Sequence, residues 1–434
     1  MTTRDDYGGP FDPDFSLADL SRGALARLGR EIMLAAHLQD RVGIPQILAR
    51  FGAEEMRRIA IEEWMGASPV YTRRAQQAFG FAGDDVATIF KGIQLDVGAP
   101  HGYLDFRFTV HDATSGEFML PYCGALADTE PMGEDLVRGM CHDIEDPTFD
   151  ATAVATNPRA RVRPLHRPPR SPAGRTPVCH WTTHIDAAAE PLQEIPLTAR
   201  VRQSKLARLE IVSSSSREAG GREDYSGPLD PDLQLEDFSH GALVRVAEEL
   251  ALQGHLLVRS FMMATAERHG EALATRIAAQ IWTGCGALGA ERIAREMRIE
   301  GDGLDAIARL LQLHPCFLPR AYLDLHVALD GHGLRFWLGD CPALTEGDPF
   351  SQFAALGAQA HPALDAIVRT RNPRASCRPC PPPPGGRLAW QVEIDPHAEP
   401  AAEPPELALA RISTGATFVF PQGRHPGPPS RGEG

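Results

Sequence analysis

Near the start of the chain Leu17, Leu20, Ala24, Leu25, Leu28, Ile32 and Ala35 recur three or four positions apart. That spacing lays them along one side of a helix, with Ser21 placed to cap it. Pro45 predicts the start of a second helix, and GAEEMRRIAIEEWMG (52–66) a third with its own apolar face. The turn GFAGDD leads into DVATIFKGIQL, a further helix capped by Asp84 or Asp85. The periodicity then changes. YLDFRFTV alternates as a strand, HDATSG is a turn, and EFMLPYC predicts the returning strand. GEDLVRGMCHDI and PTFDATAVAT read as helical, with a break at Pro147. RARVRPL and PVCHWTTHID supply two more strands. Helices first and an antiparallel sheet after predict an α+β domain.

The pattern then repeats. DDYGGPFDPDFSLADLSRGALARL, from Asp5, returns as EDYSGPLDPDLQLEDFSHGALVRV, from Glu223. The match continues through AAHLQDR with QGHLLVR, Trp64 with Trp282, Cys123 with Cys341, and NPRARVRP with NPRASCRP. A repeat of this length implies a tandem duplication of one α+β domain, not a solenoid. The expected division is 1–201 for the first repeat, 202–222 for a Ser- and Gly-rich linker, 223–412 for a second, degenerate repeat, and 413–434 for a mostly disordered tail. Both repeats carry an apolar helical stripe, so they are expected to dock within the chain as a pseudo-dimer.

The 434 residues, 43% hydrophobic and 23% charged, fit two globular domains. A formal charge of −14 argues against nucleic acid or an anionic membrane as partner, and no apolar run is long enough to span a bilayer. The acidic N-terminus lacks the apolar core of a signal peptide, so a cytoplasmic location is expected. Eight cysteines in a chain of this size point to buried thiols or metal ligands, not to a disulfide scaffold.

Candidate chemistry concentrates in the first repeat. Cys123 ends a strand, Cys141 and His142 lie in GMCHDIEDP, and Cys179 opens the last strand. Three thiols and an imidazole match the tetrahedral donor set of zinc, and iron is the alternative. Aligning DPTFDA with HPALDA sets Cys141 opposite Leu356 and His142 opposite Gly357; aligning the last strands sets Cys179 opposite Leu388. Joint loss suits one site that a degenerate copy no longer needs, although buried cysteines also interchange with aliphatic residues. Glu62 and Glu63 precede Trp64, where Gln280 and Ile281 precede Trp282, so an acid such as Glu62 is a further candidate. Tyr71 and Arg73 in SPVYTRR are peculiar to the first repeat and could hold an anionic substrate; a solvated helix start is the alternative. His37 matches His255, which suits either a binding role or shared packing. The Cys377–Cys380 pair lies in a proline run and does not suit a thioredoxin-like role. No phosphate-binding loop, HExxH or GxSxG occurs.

The order of His37, Phe51-Gly52, Trp64, Cys123, Cys141, Asn157-Pro158-Arg159 and Cys179-x-Trp181 resembles bacterial domains near L-2-amino-thiazoline-4-carboxylic acid hydrolase. More remotely it is similar to V4R-type ligand-binding domains, whose late cysteines can hold zinc. The first resemblance implies ring opening of a small cyclic amide or amidine carboxylate. The second implies a sensor or scaffold with structural zinc.

The expected protein is thus a metal-binding, small-molecule-binding one that hydrolyses its ligand or merely holds it. In the enzymatic version Cys123, Cys141 and Cys179 hold zinc or iron. His142 is the fourth ligand or a general base beside Asp143 and Glu145, and an open position carries the activated water. A metal-free version makes Cys141 a nucleophile with His142 as base, but neighbours on a helix point about 100° apart.

Overall fold

The computed structural model describes residues 3–331 and 333–421. The first half opens with α1 (Arg22–His37), α2 (Asp40–Phe51), α3 (Ala53–Phe79) and α4 (Val86–Gln94). Then come β1 (Arg107–Asp112), β2 (Ser115–Leu120), α5 (Gly124–Thr129), α6 (Glu134–Arg138), α7 (Glu145–Val154), β3 (Ala160–His166), β4 (Cys179–Ile185) and α8 (Pro196–Arg202). The second half has α9 (His240–His269), α10 (Glu271–Glu296), α11 (Leu304–Leu313), β5 (Leu325–Asp330), β6 (Gly333–Leu338), α12 (Pro362–Arg369), β7 (Ala375–Cys380), β8 (Leu388–Ile394) and α13 (Pro405–Ala410). The fold is α+β. Its two antiparallel sheets run in the same order, β1-β2-β4-β3 and β5-β6-β8-β7. No described helix is long and apolar enough to cross a membrane.

Local chemistry accounts for most element ends. Ser21 caps α1 by accepting from the Ala24 amide, and Leu25, Leu28 and Ile32 form its buried stripe. Asp85 caps α4 through the Thr88 amide. The β1–β2 hairpin turns on Asp112, whose carboxylate accepts from Thr114 and Ser115.

Three expectations are corrected. Pro45 lies inside α2 and does not start it. Pro147 does not break a helix: it sits in the first turn of α7, where its missing N–H is least needed, and the preceding residues Gly139–Ile144 form a π-helical turn that runs into it. SPVYTRR is no solvated helix start, because α3 continues through it to Phe79 with Ser68, Tyr71 and Arg74 buried.

Helices α1 and α3 pack against α9. At Gly66 of α3 a side chain would begin 2.3 Å from the Ser260 hydroxyl of α9, so only glycine allows that approach. The N-terminal arm of each half lies on the other half. Tyr7 OH donates to Gln312 Oε1 (2.7 Å), and Arg309 holds the Tyr7 carbonyl (2.7 Å). Tyr225 OH donates to Gln94 Oε1 (2.7 Å), and Lys91 holds the Tyr225 carbonyl (2.9 Å). Each residue of the second set stands 218 positions from its counterpart in the first. Residues of the expected linker are packed: Leu206 is buried, and the carbonyls of Ala207 and Leu209 accept from Arg74. Part of the expected disordered tail is also packed, with Ser413, Gly415 and Ala416 buried and Ser413 and Thr414 donating to Asp128; residues 422–434 lie outside the described residues.

Candidate functional site

Between the helices and the sheet of the first half lies a cavity of about 250 Å³. The end of α1 brings His37 to it, the start of α2 brings Asp40 and Arg41, and α3 brings Trp64. Cys123 reaches it as the N-cap of α5, and Cys179 and Trp181 from β4. The π-helical turn carries Cys141 and Ile144 to the wall, with Glu145 at its end. The extra residue of such a turn shifts the helix face, which suits this convergence.

The polar wall is ordered by a few strong contacts. Arg41 Nε donates to Asp128 (2.7 Å), which also accepts from Tyr103 OH (3.0 Å), Ser413 Oγ (2.6 Å) and the Thr414 amide and hydroxyl (both 2.7 Å). These partners hold Asp128 below the usual carboxylate range against its burial. Asp96 accepts from Tyr71 OH (2.8 Å) and the Gly98 amide (2.7 Å), yet burial raises its pKa to about 6. Asp40 accepts from Trp64 Nε1 (3.1 Å) and is hydrogen-bonded to Glu63 behind it. Two carboxyls in such contact need a proton between them, and burial together with the Asp40 charge pushes Glu63 well up. Glu145 faces the charges of Asp146 and Arg167 but no hydrogen-bond donor among the described residues; burial raises it to about 7. His37 is 7% exposed, its Nδ1 makes no well-formed hydrogen bond although the ring lies near the Val97 backbone, and burial followed by the Arg41 charge lowers its pKa to about 3. It is neutral at any physiological pH.

Of the residues singled out from sequence, Cys123, Cys141, Cys179, Glu145 and His37 meet at this cavity. Tyr71 stands one step back, through Asp96. Three do not reach it. His142 turns to the Pro168 carbonyl (Nε2···O 2.7 Å), as its position next to Cys141 on a helical turn requires. Glu62 lies on the outer side of α3, paired with Arg268 of α9. Arg73 is paired with Glu194 (2.5 Å) and is not among the residues lining the cavity. The imidazole of His142 therefore does not stand beside the three thiols. Burial raises all three thiols, Cys123 to about 12. Among the described residues no group of three or more His, Cys, Asp or Glu side chains is arranged to hold a metal ion.

Sequence reasoning passed over Asp40 and weighed Glu62 where the adjacent Glu63 points inward. A signal existed. The residues 218 positions later are Val258 and Ile281, so both members of the buried acid pair are aliphatic in the second half. A separate cavity of about 40 Å³ lies where His255, Trp282, His314 and Cys316 meet Ile32, Ala36 and Gln39 of the first half. Trp282 is 1% exposed and packs on Phe353 and His361, and His314, standing where the first half has Asp96, bonds the Gly286 carbonyl. No family model, curated protein or solved structure matches the chain.

Proposed function

We propose that the first half binds a small, mainly apolar molecule in its cavity, and that the second half is a scaffold. The observation that carries this reading is the cavity itself, about 250 Å³ and lined by Ile44, Leu48, Leu104, Phe106, Phe149 and Trp181 beside a few polar groups. A cavity that size, walled by apolar side chains with a few ordered polar groups, has the character of a ligand site. Toluene tests it, because it needs neither charge nor hydrogen bonds. One equivalent should bind by calorimetry, and binding should vanish in Cys179→Leu, which introduces the residue found at the related place in β8. Absence of binding, or binding unchanged in that variant, would overturn the reading.

Hydrolysis of a small cyclic amide or amidine is the second reading, favoured by Glu145. A carboxyl held near pKa 7 on a cavity wall can take a proton from an attacking water. His142 is turned away and leaves that role to Glu145. Turnover of 2-amino-2-thiazoline by the full chain, lost in Glu145→Gln while toluene still binds, is the expected outcome. No turnover in the unaltered protein would leave binding alone.

A further inference from the structure

The charge inventory of the cavity narrows what it holds, given the binding reading above. Four carboxyl groups line it, from Asp40, Asp96, Asp128 and Glu145, against one guanidinium, that of Arg41. Arg41 is engaged by Asp128, and Arg167, whose charge also reaches Glu145, by Asp146 and by the face of Trp181 (5.7 Å to the ring centre). Asp96 and Asp40 have donors of their own in Tyr71, the Gly98 amide, Trp64 and Glu63. Glu145 has none among the described residues. His37, more than nine-tenths buried, brings a neutral ring held near the Val97 backbone and Arg41. An entering carboxylate would meet fixed negative charge and no uncommitted cation. An entering cation would find an unpaired carboxylate and aromatic faces, since Trp64, Phe106, Phe149 and Trp181 all line the space.

We infer that the occupant is a small apolar molecule bearing a basic nitrogen, of the amine or amidine class, with its charge against Glu145. Arg73, the residue that suggested a carboxylated ligand, is bound to Glu194 away from the cavity. The selection is electrostatic: a half-buried carboxylate on the cavity wall with no hydrogen-bond donor among the described residues gains when a cation pairs with it, where a neutral molecule of the same shape does not.

Benzamidine, benzamide and benzoate share one shape and differ in charge, so they isolate this effect. Calorimetry on the full chain at pH 8 should rank benzamidine at least about tenfold tighter than benzamide, with benzoate weakest. In Glu145→Gln the preference for benzamidine over benzamide should fall to about twofold or less while toluene still binds. Equal affinities, or benzoate tightest, with toluene binding intact would overturn the inference and leave the binding reading standing. A preference for benzamidine undiminished in Glu145→Gln would overturn the role of Glu145. Failure of all three compounds and of toluene would overturn the binding reading itself. If Glu145→Gln does not fold, the ranking in the unaltered protein decides alone.

Discussion

Arg74 of the first half clasps Glu249 of the second through two hydrogen bonds, Nε to Oε2 at 3.0 Å and Nη2 to Oε1 at 2.6 Å. Their counterparts 218 positions away make the same clasp in the opposite sense: Arg292 holds Glu31 at 2.7 and 2.9 Å. In each case the remaining nitrogen of the guanidinium, Nη1, holds the carbonyls of a following segment, Ala207 and Leu209 for Arg74, and Gly415, Ala416 and Phe418 for Arg292. The halves thus meet by one set of contacts used twice, the pattern of a two-fold interface.

Such buried pairs give a sharp test. Arg292→Met should cost about 3–5 kcal/mol, because Glu31 is left charged and unpaired at 2% exposure. Adding Glu31→Leu should recover a large part of that loss. Denaturant midpoints of the single and double variants measure it, and a double variant as unstable as the single would refute the account.

Asp128 links that interface to the cavity. Ser413 and Thr414, which follow α13 of the second half, supply three of its donors, and the related carboxyl Glu346 accepts from the amides of Lys205 and Leu206. Replacing Ser413 by Ala and Thr414 by Val should cost about 1–3 kcal/mol together, the penalty of an under-bonded buried acid. The depressed pKa of Asp128 sets the sign with pH. Its contribution is present above the ordinary carboxylate range and is lost as pH falls through its lowered folded value, so the deficit of the double variant should shrink in acid. Thermal midpoints at pH 7 and pH 3 check both statements.

Much of the fold was legible because apolar spacing reports burial directly: the stripe of α1 and the alternation of β2 and β4 lie where Leu25, Phe118 and Trp181 are buried, whereas β1 buries Phe108 and leaves Val110 exposed. The cysteines of the cavity were legible because the second half lacks two of them. What escaped is long-range. Asp40 and Glu63 lie on different helices, and no local pattern shows that they share a proton. Arg74 and Glu31 look like ordinary charges on helix surfaces; only their retention at Arg292 and Glu249 hinted at buried partners. His142 turns away from Cys141 to the Pro168 carbonyl because neighbours on a helical turn point in different directions, and nothing local in the sequence shows which of the two faces the cavity.

The cysteines should behave as packing residues. Cys141→Ala and Cys285→Ala, at 6% and 7% exposure, should each cost about 1–2 kcal/mol by opening a small void. Neither should change the metal content of the purified protein. Thermal midpoints with elemental analysis test this, and loss of a stoichiometric metal from the Cys141 variant alone would restore a thiolate site.

The pH dependence of stability should carry the mark of the cavity acids. Glu145 is raised from an ordinary value of 4.5 to about 7, and Asp96 from 3.8 to about 6, each chiefly by burial. A carboxyl raised in this way binds its proton more tightly in the folded chain than in the unfolded one. Its contribution is therefore fully present below the unfolded pKa and is lost as pH rises through the folded value. For Glu145 that window runs from pH 4.5 to about 7, and across it each pH unit removes up to about 1.4 kcal/mol. Glu145→Gln abolishes this titration while keeping the shape of the side chain. The variant should match the unaltered protein near pH 4.5, exceed it in stability at pH 8, and show a shallower slope between. Benzamidine should restore stability to the unaltered protein at pH 8 and do little for the variant. Urea midpoints at half-unit steps from pH 4.5 to 8 measure all of this. Parallel curves for the two proteins would mean that Glu145 keeps its ordinary acidity and that the cavity carries no unpaired charge at neutral pH.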